Sequence, residues 1–180
     1  RDTATVMDRV QEDLRGKDPT DADVAAPTGG PGDVPDLRLE RFFFGAVRGY
    51  GIFQDRFGNL RQEFTVDTVG TWDGDVFLLD EDFRFRDGKA AKRLWRVRVL
   101  DDLRYEATAD DIVGTAHGLR DGRSLRWRYI LAVPVGARIV NMRFDDRMFL
   151  QEDGVLINLS DARKWGIRLG RLAASFQARP

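Results

Sequence analysis

From Leu37 onward the sequence predicts an all-β chain: an antiparallel up-and-down β-barrel of roughly eight to ten strands. Three observations carry this reading. Runs rich in β-branched and aromatic residues recur along the chain, each long enough for a barrel strand. Turn signals such as Asp73-Gly74, Asp87-Gly88, Asp121-Gly122 and Asp153-Gly154 separate them. Almost no helical periodicity interrupts the series.

The elements follow in order. Residues 2–15 read as one short amphipathic helix, with Val6, Met7, Val10 and Leu14 on one stripe and Gly16 as its stop. Residues 17–36 hold four of the six prolines and no apolar periodicity, which makes them a linker. Residues 1–36 thus form an N-terminal helix and linker, and 37–180 the barrel domain. Strands are expected at 38–54, 60–72, 75–86, 91–100, 103–109, 113–119, 123–134, 138–151, 154–160 and 166–177. The first is expected to break or bend at Gly45, Gly49 and Gly51.

Composition narrows the chemistry. With 42% hydrophobic residues the chain can bury a core, so disorder throughout is excluded. No apolar run approaches the ~20 residues of a membrane-spanning helix. The absence of cysteine excludes disulfides, thiol nucleophiles and Cys-ligated metals. His117 is the sole histidine, which excludes multi-His metal centres, and no metal or cofactor is expected. No charged-then-apolar signal segment or lipid-attachment cysteine stands in this chain, so localisation is left between cytoplasm and periplasm.

Strand alternation assigns faces. The inward register holds Phe77, Leu79, Phe83 and Phe85 in 75–86, and Trp95, Val97 and Val99 in 91–100. In 123–134 it holds Leu125, Trp127, Tyr129, Leu131 and Val133; in 138–151, Val140, Met142, Phe144, Met148 and Leu150. Two carboxylates break the pattern. Glu81 stands between Leu79 and Phe83, and Asp146 between Phe144 and Met148. A carboxylate in an apolar interior must be protonated, paired or bound to something. Arg168, in register with Leu172 and Phe176, is the expected partner, and Tyr129 and Asn158 are further inward donors. The alternatives are a structural carboxylate–arginine pair closing a barrel end, or a β-bulge that turns either acid to solvent.

Other motifs carry less. His117 has no nameable orienting partner and reads as a surface or rim residue, with catalysis as the alternative. Neighbours on a strand face opposite ways, so Asp145 and Asp146 cannot share one acid/base site, and Asp110-Asp111 reads as turn chemistry. Arginines flanking inward aromatics, as in Arg126-Trp127-Arg128-Tyr129, point outward into cross-strand ion pairs. The rings are thereby denied to nucleobases, and nucleic acid is not an expected partner.

Several separated motifs are distinctive: Leu39-Glu40-Arg41-Phe42-Phe43-Phe44-Gly45, Gly70-Thr71-Trp72-Asp73-Gly74, Leu79-Asp80-Glu81-Asp82-Phe83, Arg93-Leu94-Trp95, Asp110 to Gly118, and Phe144-Asp145-Asp146-Arg147-Met148. In this order they resemble a bacterial family designated domain of unknown function 3833, over about residues 37–178. The resemblance supplies no catalytic residues. It implies a link to membrane-lipid modification, because members tend to be encoded near fatty-acid-modifying enzymes such as cyclopropane-fatty-acid synthases. Many members look like lipoproteins, a feature this cysteine-free chain lacks. The barrel also resembles the lipocalin-like calycins, whose apolar calyx holds a fatty acid or similar ligand.

The leading expectation is therefore a binding module for a fatty acid or other elongated hydrophobic ligand. Phe42, Phe44, Phe83, Trp95, Trp127, Tyr129 and Phe144 would line the calyx, with Arg168, Glu81 or Asp146 anchoring a polar head. A lipid-modifying isomerase, cyclase or dehydratase using Glu81 or Asp146 as acid/base is the second reading. An interaction protein with a filled barrel is the third, and peripheral contact with a membrane or carrier protein is an open expectation. The oligomeric state has no sequence signal.

Overall fold

The computed structural model describes residues 36–179; the helix expected at 2–15 and the linker up to residue 35 lie outside them. Ten strands follow in chain order: β1 Gly45–Asp55, β2 Leu60–Asp73, β3 Val76–Phe85, β4 Ala90–Val99, β5 Arg104–Thr108, β6 Ala116–Asp121, β7 Ser124–Val135, β8 Arg138–Leu150, β9 Leu156–Lys164 and β10 Ile167–Ala178. Each pairs antiparallel with its successor, and β1 closes on β10, so the wall is a closed up-and-down, lipocalin-like barrel. The core lies inside it, built from alternate residues such as Phe77 and Leu79 of β3, Trp95 and Val97 of β4, and Leu125 and Trp127 of β7.

The first strand begins later than expected. Leu39–Phe42 forms a single helical turn, α1, and the Phe43 amide donates to the Leu39 carbonyl at 3.0 Å. The period-two reading of Leu39 to Phe44 fails here because helical spacing puts residues four apart on one side. Leu39 and Phe43 are accordingly buried together with Leu37, while Phe44 is exposed. The turn is tied across one end of the barrel. The Tyr105 hydroxyl donates to Glu40 at 2.9 Å, buried Arg120 reaches Asp36 at 2.9 Å, and the Leu37 amide donates to the Gly122 carbonyl.

Gly49 and Gly51 do not break β1. They occupy inward positions over which rings from neighbouring strands lie, and a Cβ on Gly49 would come 2.6 Å from the Phe176 ring. Gly45 does mark a change of direction, taking a positive φ of 76° where α1 gives way to the strand.

The wall is uneven. β7 and β8 pair along almost their whole lengths, whereas β4 pairs with β5 only over Arg96–Val99. Beside the other half of β4 lies the segment 109–113, which belongs by its backbone to β7. The Val113 amide donates to the Ile130 carbonyl at 2.8 Å, and the Ala132 amide to the Asp111 carbonyl at 2.9 Å.

Candidate functional site: a polar cluster inside the barrel cavity

A cavity of about 640 Å³ occupies the barrel interior, within the range usual for small-molecule sites. Its walls are mainly aromatic and aliphatic. Trp95 stands edge-on to Trp127 and to Tyr129, with ring centres 5.9 and 5.4 Å apart, and Tyr129 stacks on Phe144 at 5.3 Å. Gly118 makes the room for Trp127, since any Cβ there would overlap the indole.

Both inward carboxyls are present in this cavity, as their registers require. Glu81 of β3 lies directly opposite Arg93 of β4 in the ladder. Its Oε2 accepts from Trp95 Nε1 at 3.2 Å and lies 3.6 Å from the Arg93 guanidinium. Burial dominates its titration and pushes the carboxyl up to about 7, against the pull of Arg93. Arg93 itself donates from Nε and NH2 to Asp111 at 2.8–3.1 Å, so one guanidinium bridges β4, β3 and the 109–113 segment. Burial alone would lower its proton affinity, but Glu81 and Asp111 outweigh that and keep it charged.

Asp146 of β8 forms the second centre. Ser160 of β9, its partner in the ladder, donates to Oδ1. Oδ2 receives only long contacts, both 3.5 Å, from the Tyr129 hydroxyl and Asn158 Nδ2. Desolvation again dominates and raises this carboxyl to about 6. Its sequence neighbour Asp145 points the other way, where Arg126 on the outer wall grips it at 2.8 Å. Burial likewise pushes the Tyr129 phenol well up, so it stays a donor.

Of the residues expected from sequence, Phe83, Trp95, Trp127, Tyr129, Phe144, Glu81 and Asp146 all line the cavity. Three do not occupy the places expected. Phe44 is exposed and Phe42 packs beside the core without lining the cavity; Leu39 and Phe43 take those positions because of the helical turn. Arg168 is not the interior cation. A bulge between Arg168 and Gly170 breaks the register, and Arg168 pairs with Arg163, outside the inward series Gly170, Leu172, Ala174 and Phe176. His117 lies on the outer face of β6, its side chain two-thirds exposed and 4.0 Å from Glu106.

The residues that reading by motif missed are Arg93 and Asp111. Arg93 shares parity with Trp95 and Val97, and that signal was available in the sequence. Asp111 sits in an irregular segment, where parity says nothing. Among the described residues, no group of three or more His, Asp or Glu side chains could hold a metal ion.

A mainly apolar cavity, open to solvent on one side and holding a few buried polar groups within a closed antiparallel wall, defines a small barrel of lipocalin-like fold. The chain belongs to the family described as protein of unknown function (DUF3833), whose model matches residues 28–178. No curated protein matches it. Among solved structures, the S-type phycobiliprotein lyase CPES from Guillardia theta is similar, with a TM-score of 0.57. The two share 8% identity over 79% of this chain and 90% of that one, so the likeness is one of fold.

Proposed function

We infer that the barrel binds an elongated hydrophobic ligand, of which a fatty acid or another long-chain lipid is the type. The observation that carries this is the cavity itself: about 640 Å³, walled by rings and aliphatic chains, with Glu81, Asp146 and Arg93 among its lining. A barrel that served only as an interaction scaffold would gain stability by filling such a space. The link to membrane-lipid modification implied by the family resemblance points to the same ligand class.

A second reading is favoured by one further feature. Glu81 and Asp146 hold their protons to about 7 and about 6, which suits proton transfer near neutrality. On this reading the protein is a lipid-modifying enzyme of the isomerase, cyclase or dehydratase type.

Extraction of purified protein with organic solvent, followed by mass spectrometry, tests the binding reading. A stoichiometric long-chain lipid is the expected result. A clean extract, together with no thermal shift from a panel of acyl lipids, would overturn it. Glu81→Gln then separates the two readings: a binder keeps its ligand with modestly changed affinity, whereas an enzyme keeps its ligand and loses turnover.

A further inference from the structure

Hydrogen bonding around Asp146 is incomplete in a specific direction. Ser160 satisfies Oδ1, but Oδ2 has only the two 3.5 Å contacts from Tyr129 and Asn158, longer than a well-made hydrogen bond. Asn158 is 6% exposed and lines the cavity, and its Oδ1 has no partner at all. The amide cannot be turned to cure this, because its nitrogen must face the carboxylate of Asp146. Two buried acceptors therefore stand open on one side of the cavity. Buried acceptors left unmade are costly, and a ligand that supplies donors removes that cost.

The buried cation does not change this balance, and Lys92, which also lines the cavity, has a side chain 74% exposed that lies 3.7 Å from Asp82. Arg93 already commits Nε and NH2 to Asp111, and its remaining terminal nitrogen lies 3.6 Å from Glu81. An ionised carboxylate entering the cavity would bring acceptors only, into a space that already holds two carboxyls and an unpartnered amide oxygen.

We propose that Asp146, Asn158 and Ser160 form the seat for the ligand's polar end, and that this seat takes a neutral, donor-bearing head, a hydroxyl or a primary amide, in preference to a carboxylate. The inference rests on the hydrophobic-ligand reading above and narrows it to long-chain alcohols and amides. A primary amide, with two N–H groups, matches the two open acceptors best. A fatty acid would fit the seat only with its proton retained.

The test uses delipidated full-length protein and four ligands of one chain length: the alcohol, the primary amide, the fatty acid and its methyl ester. Affinities are measured by calorimetry at about pH 8, where the free acid is ionised. The alcohol and amide are expected to bind at least about ten-fold more tightly than the acid and the ester. In Asn158→Leu that preference should shrink to within about three-fold while ester affinity holds. Asp146→Asn, close to isosteric and bringing a donor of its own, should raise ester affinity. It keeps the idea testable if the first variant does not fold. Equal binding of all four ligands, tighter binding of the acid, or an unchanged preference in both variants would overturn the seat while leaving the hydrophobic cavity standing. Failure of all four to bind would overturn the ligand reading itself.

Discussion

Two sectors of the barrel wall are held together by different forces. From β7 through β10 and round to β3, neighbouring strands share long ladders of backbone hydrogen bonds. Between the first half of β4 and the segment 109–113, the tie is instead made by side chains. Arg93 grips Asp111 at 2.8 Å, and Arg96, where the β5 ladder begins, approaches Asp110 at 3.6 Å. Backbone ladders fix a wall without reference to side-chain charge. A seam closed by one buried guanidinium depends on a single residue that also faces the cavity, and the lining accordingly extends to Asp110 and Lys92 here. The seam couples the integrity of the wall to the electrostatics of the interior.

The largest expected effect comes from cutting that seam. Arg93→Met removes the cation that serves both Glu81 and Asp111 and leaves the largely buried Glu81 and the partly exposed Asp111 uncompensated. Breaking a buried pair from one side costs about 3–5 kcal/mol. Urea unfolding should show a loss of that size, and adding Glu81→Gln should recover part of it. A loss below about 1 kcal/mol would mean that the seam is held by something other than Arg93.

A somewhat smaller effect concerns pH. Glu81 releases its proton near 4.5 when unfolded but near 7 in the fold. Between those values the unfolded chain binds fewer protons than the folded one, so stability falls as pH rises through that window. Asp146, raised from 3.8 to about 6, acts in the same direction. The decline attributable to Glu81 should be about 3 kcal/mol and level off above pH 7. Thermal melts of Glu81→Gln should lose most of this slope. A wild-type curve that rises between pH 5 and 7 would contradict the burial of that carboxyl.

The regular wall offers the contrasting case of a carboxylate that stabilises when charged. Asp55, buried at the β1–β2 turn, accepts from the Phe57 and Asn59 amides, both at 2.9 Å, from the Asn59 side chain at 3.0 Å, and from Arg61 Nε at 2.7 Å. Burial raises its titration, but these donors prevail and bring it to about 2. Its contribution is present above the unfolded value of 3.8 and is lost as pH falls through 2, the opposite sign to Glu81. Asp55→Ala should cost about 2 kcal/mol in urea unfolding at neutral pH. It should also remove Asp55's share of the loss below pH 4, the remainder belonging to Asp67, Asp101 and Asp145, which are held low as well, Asp145 against its burial, by their arginine partners. Retention of the whole loss in the variant would place the acid-sensitive groups elsewhere.

The same contrast explains which parts were readable from sequence. Where ladders are regular, parity alone assigned Glu81, Asp146, Trp127 and Tyr129 to the interior, and nine of the ten strands were placed close to their observed bounds, the first beginning seven residues later than expected. Parity fails wherever the backbone leaves the two-residue repeat. It failed at the helical turn of Leu39–Phe42, which exchanged Phe43 for Phe44 inside. It failed at the bulge after Arg168, which sent that side chain away from the cavity. It was silent on Asp111, in a segment with one isolated bridge, Ile112 to Leu131. Arg93 is the instructive exception, since it obeys parity and was concealed only by the outward arginines around it.

The smallest effect belongs to the outer face of the regular wall. Arg126 holds Asp145 through two nitrogens, Nε at 2.8 Å, but its side chain is 43% exposed. Solvent screens such a pair, and the strands beneath it are already joined by a full backbone ladder, Arg126 lying opposite Arg147 and Arg128 opposite Asp145. Arg126→Ala should therefore cost less than about 1 kcal/mol, and the cost should shrink further as salt is added. The loss from Arg93→Met should respond less to salt, because the Arg93 side chain is 17% exposed and Glu81 beside it is largely buried, although Asp111 reaches solvent. Measuring both variants in low and high salt puts the distinction between seam and wall on one axis. If the two responded alike, the guanidinium of Arg93 would have to be as well solvated as that of Arg126, and the seam would be no different in kind from the surface pairs around it.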